Sequence, residues 1–121
     1  VHIDYYSGNI LWDQGQITAV LDWEEAAFGD PGIDVAYLRM ELFTWGMEKI
    51  ADVFLGAYVA EMGHPVENLG FWELAAAARN MPDPAQFLPE LQSLGNTECT
   101  ASSLRQNFAQ FIASARTRAG L

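Results

Sequence analysis

The chain has 121 residues, half of them hydrophobic and 12% aromatic, which suits one domain with a packed core and argues against a disordered chain. Sixteen acidic residues against six basic ones give a formal charge of -10, so nucleic acid, which binds basic surfaces, is not expected as a partner. No apolar run approaches the roughly 18 residues that a membrane span needs. A single cysteine, Cys99, excludes a disulfide framework, and we expect a cytoplasmic protein that does not enter a membrane.

The first part of the chain is rich in short β-prone segments. Residues 10–12 and 17–21 contain branched and aromatic side chains, and the Asp-Gln-Gly sequence at residues 13–15 suits a tight turn between them. This pattern predicts a small antiparallel hairpin. Residues 28–32 then contain two glycines and one proline, a combination that interrupts regular structure.

After this break the apolar residues recur every three or four positions, which is the period of an amphipathic helix. The first apolar stripe consists of Ile33, Ala36, Tyr37 and Met40. Gly63 suits a helix end and Thr100 suits a helix N-cap. A loop is expected over residues 81–84, which contain two prolines. The predicted helices cover residues 33–44, a stretch from about 50 to 62, residues 67–79, residues 87–94 and a last helix after Thr100. The expected fold class is therefore mainly α with a small β-hairpin.

The opening residues carry the most specific motif of the chain. His2, Asp4 and Asn9 fit the pattern H-x-D-x-x-x-x-N, which is typical of the catalytic loop of phosphotransferases with a kinase fold. The residues between Asp4 and Asn9 let the loop curl, so that the carboxylate and the amide address the same phosphoryl group. In such loops the carboxylate faces the acceptor hydroxyl and the amide oxygen faces a metal ion.

A second carboxylate is expected to complete a metal site. Asp22 follows the predicted hairpin, and pairing of the two strands would bring it back beside Asn9. Mg²⁺ prefers several oxygen ligands around the phosphates of ATP, and Asp4, Asn9 and Asp22 offer such oxygens at one place. The alternative interpretation is structural, because all three residues are of types common in turns and helix caps.

Three segments resemble the aminoglycoside phosphotransferase and choline kinase-like family, which shares the protein-kinase fold: residues 2–12, 20–24 and 29–36. The resemblance implies that the chain is the C-terminal lobe of such a kinase-like α+β fold. It also implies that Asp4 orients or deprotonates the acceptor hydroxyl, and that Asn9 and Asp22 hold Mg²⁺ at the phosphates of ATP. By the same resemblance, His2 supports the loop and is not a base, and Asp30 and Asp34 brace the loop and cap the helix that follows.

The sequence departs at three positions from the family loop, which commonly reads H-G-D-x-H-x-G-N. Ile3 replaces the glycine, Tyr6 replaces the second histidine, and Ser7 stands where proline is frequent. Asp4 and Asn9 are retained, so the loop is compatible with metal chemistry. A tight loop with a β-branched residue in place of glycine is expected to be strained.

Two parts of an ATP site are missing from the sequence. It contains no G-x-G-x-x-G loop, and its one lysine, Lys49, lies in a predicted helix, where a solvated surface role is expected. The chain begins without methionine and enters apolar sequence at once, as a piece of a longer protein would. We therefore expect residues 1–34 to hold the catalytic loop, hairpin and metal-binding segment. Residues 35–121 would form a helical subdomain of the same lobe, with the N-terminal nucleotide lobe absent.

Two functions from different classes follow. The first is ATP-dependent transfer of the γ-phosphoryl group to a hydroxyl of a small molecule, without useful turnover by the 121-residue chain alone. The second, suggested by Ile3 and Tyr6, is a catalytically dead kinase-like module that binds a partner or ligand. Acidic residues of the helical part favour a cationic acceptor: Glu41, Glu48, Glu61, Glu73, Asp83 and Glu90.

Overall fold

The computed structural model describes residues 1–79 and 83–121. In these residues a two-stranded antiparallel sheet precedes five α-helices, which confirms the expected class of a mainly α chain with a small hairpin. None of the described helices is both long and apolar enough to cross a bilayer. The elements are β1 (Ile10–Asp13), β2 (Gln16–Val20), α1 (Gly32–Thr44), α2 (Glu48–Met62), α3 (Leu69–Arg79), α4 (Leu88–Ser93) and α5 (Ala101–Ala119), with 3₁₀ turns at Ser7–Asn9 and Pro84–Phe87.

The hairpin forms where the branched and aromatic residues predict it. Gln14 and Gly15 connect the strands with φ of 49° and 79°, the left-handed backbone that a two-residue hairpin turn of type I′ requires. Strand β2 ends one residue earlier than predicted, at Val20. The N–H of Leu21 still donates to the carbonyl oxygen of Asn9 over 2.8 Å. After the hairpin the chain therefore lies beside Asn9, the residue that precedes β1.

Helix boundaries follow local signals. Thr100 caps α5 in a reciprocal capping box, as predicted, and Gly63 ends α2 with a left-handed φ of 75°. Helix α3 begins later than predicted, at Leu69, because Asn68 has a left-handed φ of 53° that a helix cannot continue through. The loop predicted over residues 81–84 lies partly outside the described residues.

Helix α1 packs against α2, α3 and α5 and contributes much of the core. Its buried face includes Ala36 and Met40, two residues of the predicted apolar stripe, and these pack with Phe111 of α5. Helices α3 and α5 approach closely at Gly70, where a Cβ atom would lie 2.5 Å from the backbone nitrogen of Ala119. Only glycine fits at this crossing without a shift of the helices.

A cluster of charged side chains is buried where the helices meet. Glu73 is fully buried and accepts hydrogen bonds from Arg39 Nε at 2.9 Å and from Arg118 Nε at 2.8 Å. Arg39, also buried, donates further to the carbonyl oxygen of Ala51 and to the carboxylate of Asp52. The cluster joins α1, α2, α3 and α5 and gives each buried charge an opposite partner.

Candidate active site

The motif of the opening residues lies beside the first turns of helix α1. The Asp34 carboxylate accepts hydrogen bonds from the backbone N–H groups of His2 and Ile3, both at 2.7 Å. The Asp30 carboxylate accepts a hydrogen bond from the N–H of Gly32 at 2.8 Å, at the start of α1. Asp34 thus bonds to the loop backbone, whereas Asp30 bonds to the first N–H of α1 from the position before Pro31, the N-cap residue.

His2 is buried beneath the loop. Its Nε2–H donates to the carbonyl oxygen of Leu21 at 2.7 Å, and its ring packs edge-on against Trp23, with ring centroids 4.7 Å apart. The other ring nitrogen, Nδ1, is also shielded from solvent. The imidazole therefore ties the start of the loop to the end of the hairpin.

Asp4 and Asn9 lie together where the chain enters the hairpin, and Asp22 lies where the chain leaves it. The Asn9 Nδ2 group donates to the Asp4 carbonyl oxygen at 3.0 Å and to Asp4 Oδ2 at 3.2 Å. Asp22 follows Leu21, whose N–H is paired with the Asn9 carbonyl oxygen. Burial raises the pKa of the Tyr6 hydroxyl, and nearby carboxylates, Asp4 and Asp22 among them, raise this pKa further.

The oxygen atoms of this group suit a hard divalent cation. Carboxylate and amide oxygens are ligands that Mg²⁺ prefers, and it usually keeps several positions for water and phosphate. Because Asn9 Nδ2 faces Asp4, the amide oxygen is the atom of Asn9 that can address a cation. Within residues 1–79 and 83–121, no cluster of three or more His, Cys, Asp or Glu side chains could hold a metal by itself. Asp4, Asn9 and Asp22 offer oxygens of the kind that Mg²⁺ prefers, and phosphate oxygens or water would have to complete its coordination.

A pocket of about 210 Å³ opens beside Asp4. Its lining residues come from the loop, from α1 and from the region around α4. Three of them are acids, Asp4, Glu41 and Glu90, and its aromatic walls include Tyr37 and Trp45. Acidic groups next to aromatic faces suit a ligand that carries positive charge on an otherwise apolar body.

Two of the acids that the sequence offers to a cationic acceptor, Glu41 and Glu90, line this pocket. For Glu73 the expectation is wrong. Its carboxylate is buried between the guanidinium groups of Arg39 and Arg118 and does not face solvent.

Residues that reach the loop from distant parts of the chain were missed by the sequence interpretation. Arg79, the last residue of α3, donates to the carbonyl oxygen of Ile3 and to the carboxylate of Glu25. Its guanidinium lies 5.4 Å from the centroid of the Tyr37 ring. Burial raises the pKa of the Tyr37 hydroxyl, and the nearby Asp4 carboxylate raises this pKa further. No spacing rule connects Arg79 with a loop at the other end of the sequence, and Tyr37 was identified only as part of an apolar stripe.

A sequence model of the phosphotransferase enzyme family matches residues 1–69, more than half of the chain, and this match includes the loop and the hairpin. The chain belongs to this family. The expected aminoglycoside phosphotransferase membership is thereby confirmed. A hygromycin-B 4-O-kinase from Escherichia coli is 51% identical over 45 residues, which is 37% of this chain and 12% of that protein. The chain thus spans a small part of the length of this relative. No solved structure matches the chain.

Ile3 stands where the family commonly has glycine, and its φ of 72° is a left-handed conformation that strains a β-branched residue. We expect Ile3→Gly to raise the free energy of unfolding by about 1 kcal/mol, because relief of this strain exceeds the entropy cost of glycine. Urea unfolding of the chain measures the change. Ile3→Val keeps the branched side chain and should give no gain, whereas a less stable Ile3→Gly variant would show that the position is not strained.

Glu41 makes the stability of the chain depend on pH. Burial raises the pKa of its carboxyl from 4.5 to about 7, although hydrogen bonds from Ser7 favour the ionised form. Over this interval the folded chain binds the proton more tightly than the unfolded chain does. Ionisation of Glu41 therefore lowers the free energy of unfolding as the pH rises, by about 3 kcal/mol in all.

Glu41→Gln carries no charge and should lose this pH dependence. Relative to the wild type, it should be more stable by up to about 3 kcal/mol at about pH 8 and nearly equal at about pH 5. Urea unfolding of both proteins at the two pH values measures the difference. Glu61→Gln, at an exposed position of α2, should differ from the wild type equally at both. The same behaviour in Glu41→Gln would contradict a raised pKa.

Proposed function

We propose that the chain is the C-terminal lobe of a protein-kinase-like enzyme that transfers the γ-phosphoryl group of ATP to a hydroxyl group of a small molecule. The observation that carries the proposal is the position of Asp4, bound to the Asn9 amide and lining an acidic pocket of about 210 Å³. In this proposal residues 1–34 supply the catalytic loop, hairpin and metal-binding segment. Residues 35–121 form the helical subdomain of the same lobe. The reaction takes place in the cytoplasm, where ATP is supplied.

Asp4 acts on the acceptor. Its carboxylate is hydrogen-bonded by Asn9 and lines the pocket together with Tyr37, where it accepts the hydrogen bond of the acceptor hydroxyl. The hydroxyl oxygen attacks the γ-phosphorus, the bond between that phosphorus and the bridging oxygen breaks, and ADP leaves. The hydroxyl proton passes to the Asp4 carboxylate. The lobe therefore contributes mainly the position of the acceptor and the place to which the proton goes.

Asn9 and Asp22 would hold Mg²⁺ through the amide and carboxylate oxygens. When bound, Mg²⁺ neutralises charge on the β- and γ-phosphates. His2 and Asp34 keep the loop in place through its backbone and through the hairpin. A glycine-rich loop over the phosphates and a lysine that pairs with them would come from a second lobe, since Lys49 is exposed on α2.

The proposed acceptor carries both a hydroxyl group and cationic groups. The carboxylates of Asp4 and Glu90 give the pocket negative charge, and Trp45 offers an aromatic face to a cation. The similar Escherichia coli protein is named a hygromycin-B 4-O-kinase, and hygromycin B is therefore the first acceptor to test.

Transfer of label from ATP tests this proposal. The full-length protein, incubated with Mg²⁺, γ-labelled ATP and hygromycin B or other cationic hydroxyl compounds, is expected to yield a labelled acceptor. The 121-residue chain alone is expected to yield none above background. Release of the label only as inorganic phosphate, or no turnover with any of these acceptors, would overturn the proposal.

The backbone of the loop favours one second candidate, a kinase-like module that binds a partner or ligand without catalysis. Ile3 has a φ of 72° without being glycine, and Tyr6 occupies the position of a family histidine. Calorimetry of the full-length protein with Mg²⁺ and ATP separates the two candidates. The enzyme should bind the nucleotide with its metal, whereas the catalytically dead module should bind neither well.

A further inference from the structure

Helix α1 also contacts the loop through Glu41, two turns beyond Asp34. Glu41 Oε2 accepts the backbone N–H of Ser7 and Oε1 accepts the Ser7 hydroxyl, both at 2.9 Å. Only 6% of Glu41 is exposed, although the residue lines the pocket beside Asp4. The backbone N–H and the hydroxyl group of Ser7 thus both donate to one buried carboxylate.

Ser7 opens the 3₁₀ turn that carries Asn9. The turn closes with a hydrogen bond from the Asn9 N–H to the Tyr6 carbonyl oxygen at 3.1 Å. From the end of this turn, Asn9 Nδ2 donates to Asp4. A continuous path of hydrogen bonds and a single helical turn therefore connects Glu41, through Ser7 and Asn9, to Asp4.

We propose that Glu41 is a positioning residue, which fixes Asn9 and Asp4 relative to the acceptor pocket by holding Ser7. This inference rests on the proposed phosphoryl transfer and deepens it. Direct binding of a cationic acceptor is better suited to Glu90, because both oxygens of Glu41 accept hydrogen bonds from Ser7 whereas Glu90 is exposed at the same pocket. In this proposal Glu41 holds the loop in position, and Glu90 binds the acceptor.

The chemistry of Ser7 agrees with this assignment. Serine offers a backbone N–H and a hydroxyl, and these match the two oxygens of a carboxylate. A proline at the same position would offer neither donor and would leave the buried Glu41 carboxylate without these partners. Glutamine is the natural replacement for Glu41, since its amide can accept from the Ser7 N–H and donate to the Ser7 hydroxyl oxygen.

Kinetics of the full-length protein, with hygromycin B as acceptor and saturating ATP and Mg²⁺, test the proposal. Glu41→Ala should lower kcat about 10–100-fold and change the acceptor KM by less than about threefold, because the loop loses its position while the pocket remains. Glu41→Gln should keep kcat within about threefold of the wild type. Glu90→Ala should raise KM, and Glu67→Ala, at an exposed position before α3, should behave as the wild type.

Hydrogen exchange supplies a readout that does not depend on turnover. In Glu41→Ala the backbone amides of residues 5–9 should exchange faster than in the wild type, because the Ser7 N–H loses its acceptor and the turn opens more often. In Glu41→Gln their exchange should stay near that of the wild type. Mass spectrometry of the peptide that contains these residues measures the rates.

Failure of this inference differs from failure of the proposed function. If Asp4→Asn abolishes transfer while Glu41→Ala retains kcat and normal exchange of residues 5–9, the positioning role is wrong and the phosphotransferase assignment stands. If the wild type transfers no phosphate, the proposed function fails, and the exchange rates alone then decide whether Glu41 holds the loop. Equal loss of kcat in the alanine and glutamine variants would reduce Glu41 to a general structural residue and overturn the proposal.

Discussion

Replacing Asp4 by alanine in the full-length protein is expected to lower kcat for phosphoryl transfer by about 10²–10⁴-fold. The substitution removes the carboxylate that takes the acceptor proton, while the Asp34 contacts with the loop backbone remain. Binding of Mg²⁺ and ATP should persist, because Asn9 and Asp22 are unchanged. Steady-state kinetics at saturating substrate measure the first effect, and calorimetry measures the second.

Two further variants make the Asp4 experiment specific. Asp4→Asn keeps the size of the side chain and an oxygen that can accept from the Asn9 amide, but it lacks the basic carboxylate. It should therefore be nearly as inactive as Asp4→Ala. Asp13→Ala removes an exposed acid at the hairpin turn and should leave turnover unchanged. An active Asp4→Ala protein would contradict the role of Asp4 and the mechanism built on it.

The substitution Glu73→Ala is expected to have the largest effect on stability, with a loss of about 3–5 kcal/mol. Glu73 is fully buried and accepts hydrogen bonds from Arg39 and Arg118. Without it, the Arg39 guanidinium, which is 1% exposed, would keep its charge inside the fold with no carboxylate facing its Nε atom. Urea unfolding of the chain, followed by far-ultraviolet circular dichroism, measures the change.

An exposed ion pair serves as the comparison. Arg105 binds the Asp83 carboxylate through Nε at 3.0 Å and Nη2 at 2.6 Å, but both side chains are largely exposed to water. Arg105→Ala should therefore destabilise the chain far less than Glu73→Ala. The double variant Arg39→Met/Glu73→Met should lose less stability than Glu73→Ala, because it removes the buried arginine charge together with its carboxylate partner. Similar losses of unfolding free energy in Glu73→Ala, Arg105→Ala and the double variant would contradict the expectation that burial determines the cost of breaking an ion pair.

Local signals in the sequence were sufficient for most elements of the fold. The turn at Gln14 and Gly15 and the cap at Thr100 each depend on neighbouring residues, so short-range rules predict them. The predicted start of α3 is too early, because the left-handed conformation of Asn68 interrupts a stretch whose residues have helix propensity. Propensity describes where a helix can form, and the conformation of a single residue can set where it begins.

The candidate site also combines residues that local sequence patterns predict with residues that reach it only through packing. Asp4 and Asn9 belong to one short motif and are in contact, and strand pairing brings Leu21, the residue before Asp22, back to Asn9. Glu41 and Arg79 reach the loop only after the helices pack, and neither belongs to a local pattern. The surface role expected for Glu73 is wrong for the same reason, because no local pattern indicates that two arginines from other helices enclose its carboxylate.

The loop and helix α1 run side by side in the same direction. Asp34, Tyr37 and Glu41 lie on one face of the helix. Asp34 accepts from His2 and Ile3, Tyr37 lines the pocket together with Asp4, and Glu41 accepts from Ser7, so the two segments follow the same order. A helix rises about 1.5 Å and rotates about 100° with each residue. Deleting one residue between Asp34 and Glu41 would therefore rotate Glu41 away from Ser7, and no substitution at either end could restore the spacing. Because the pitch of a helix is fixed, insertions or deletions within α1 should disturb the site more than substitutions that keep the length of the helix.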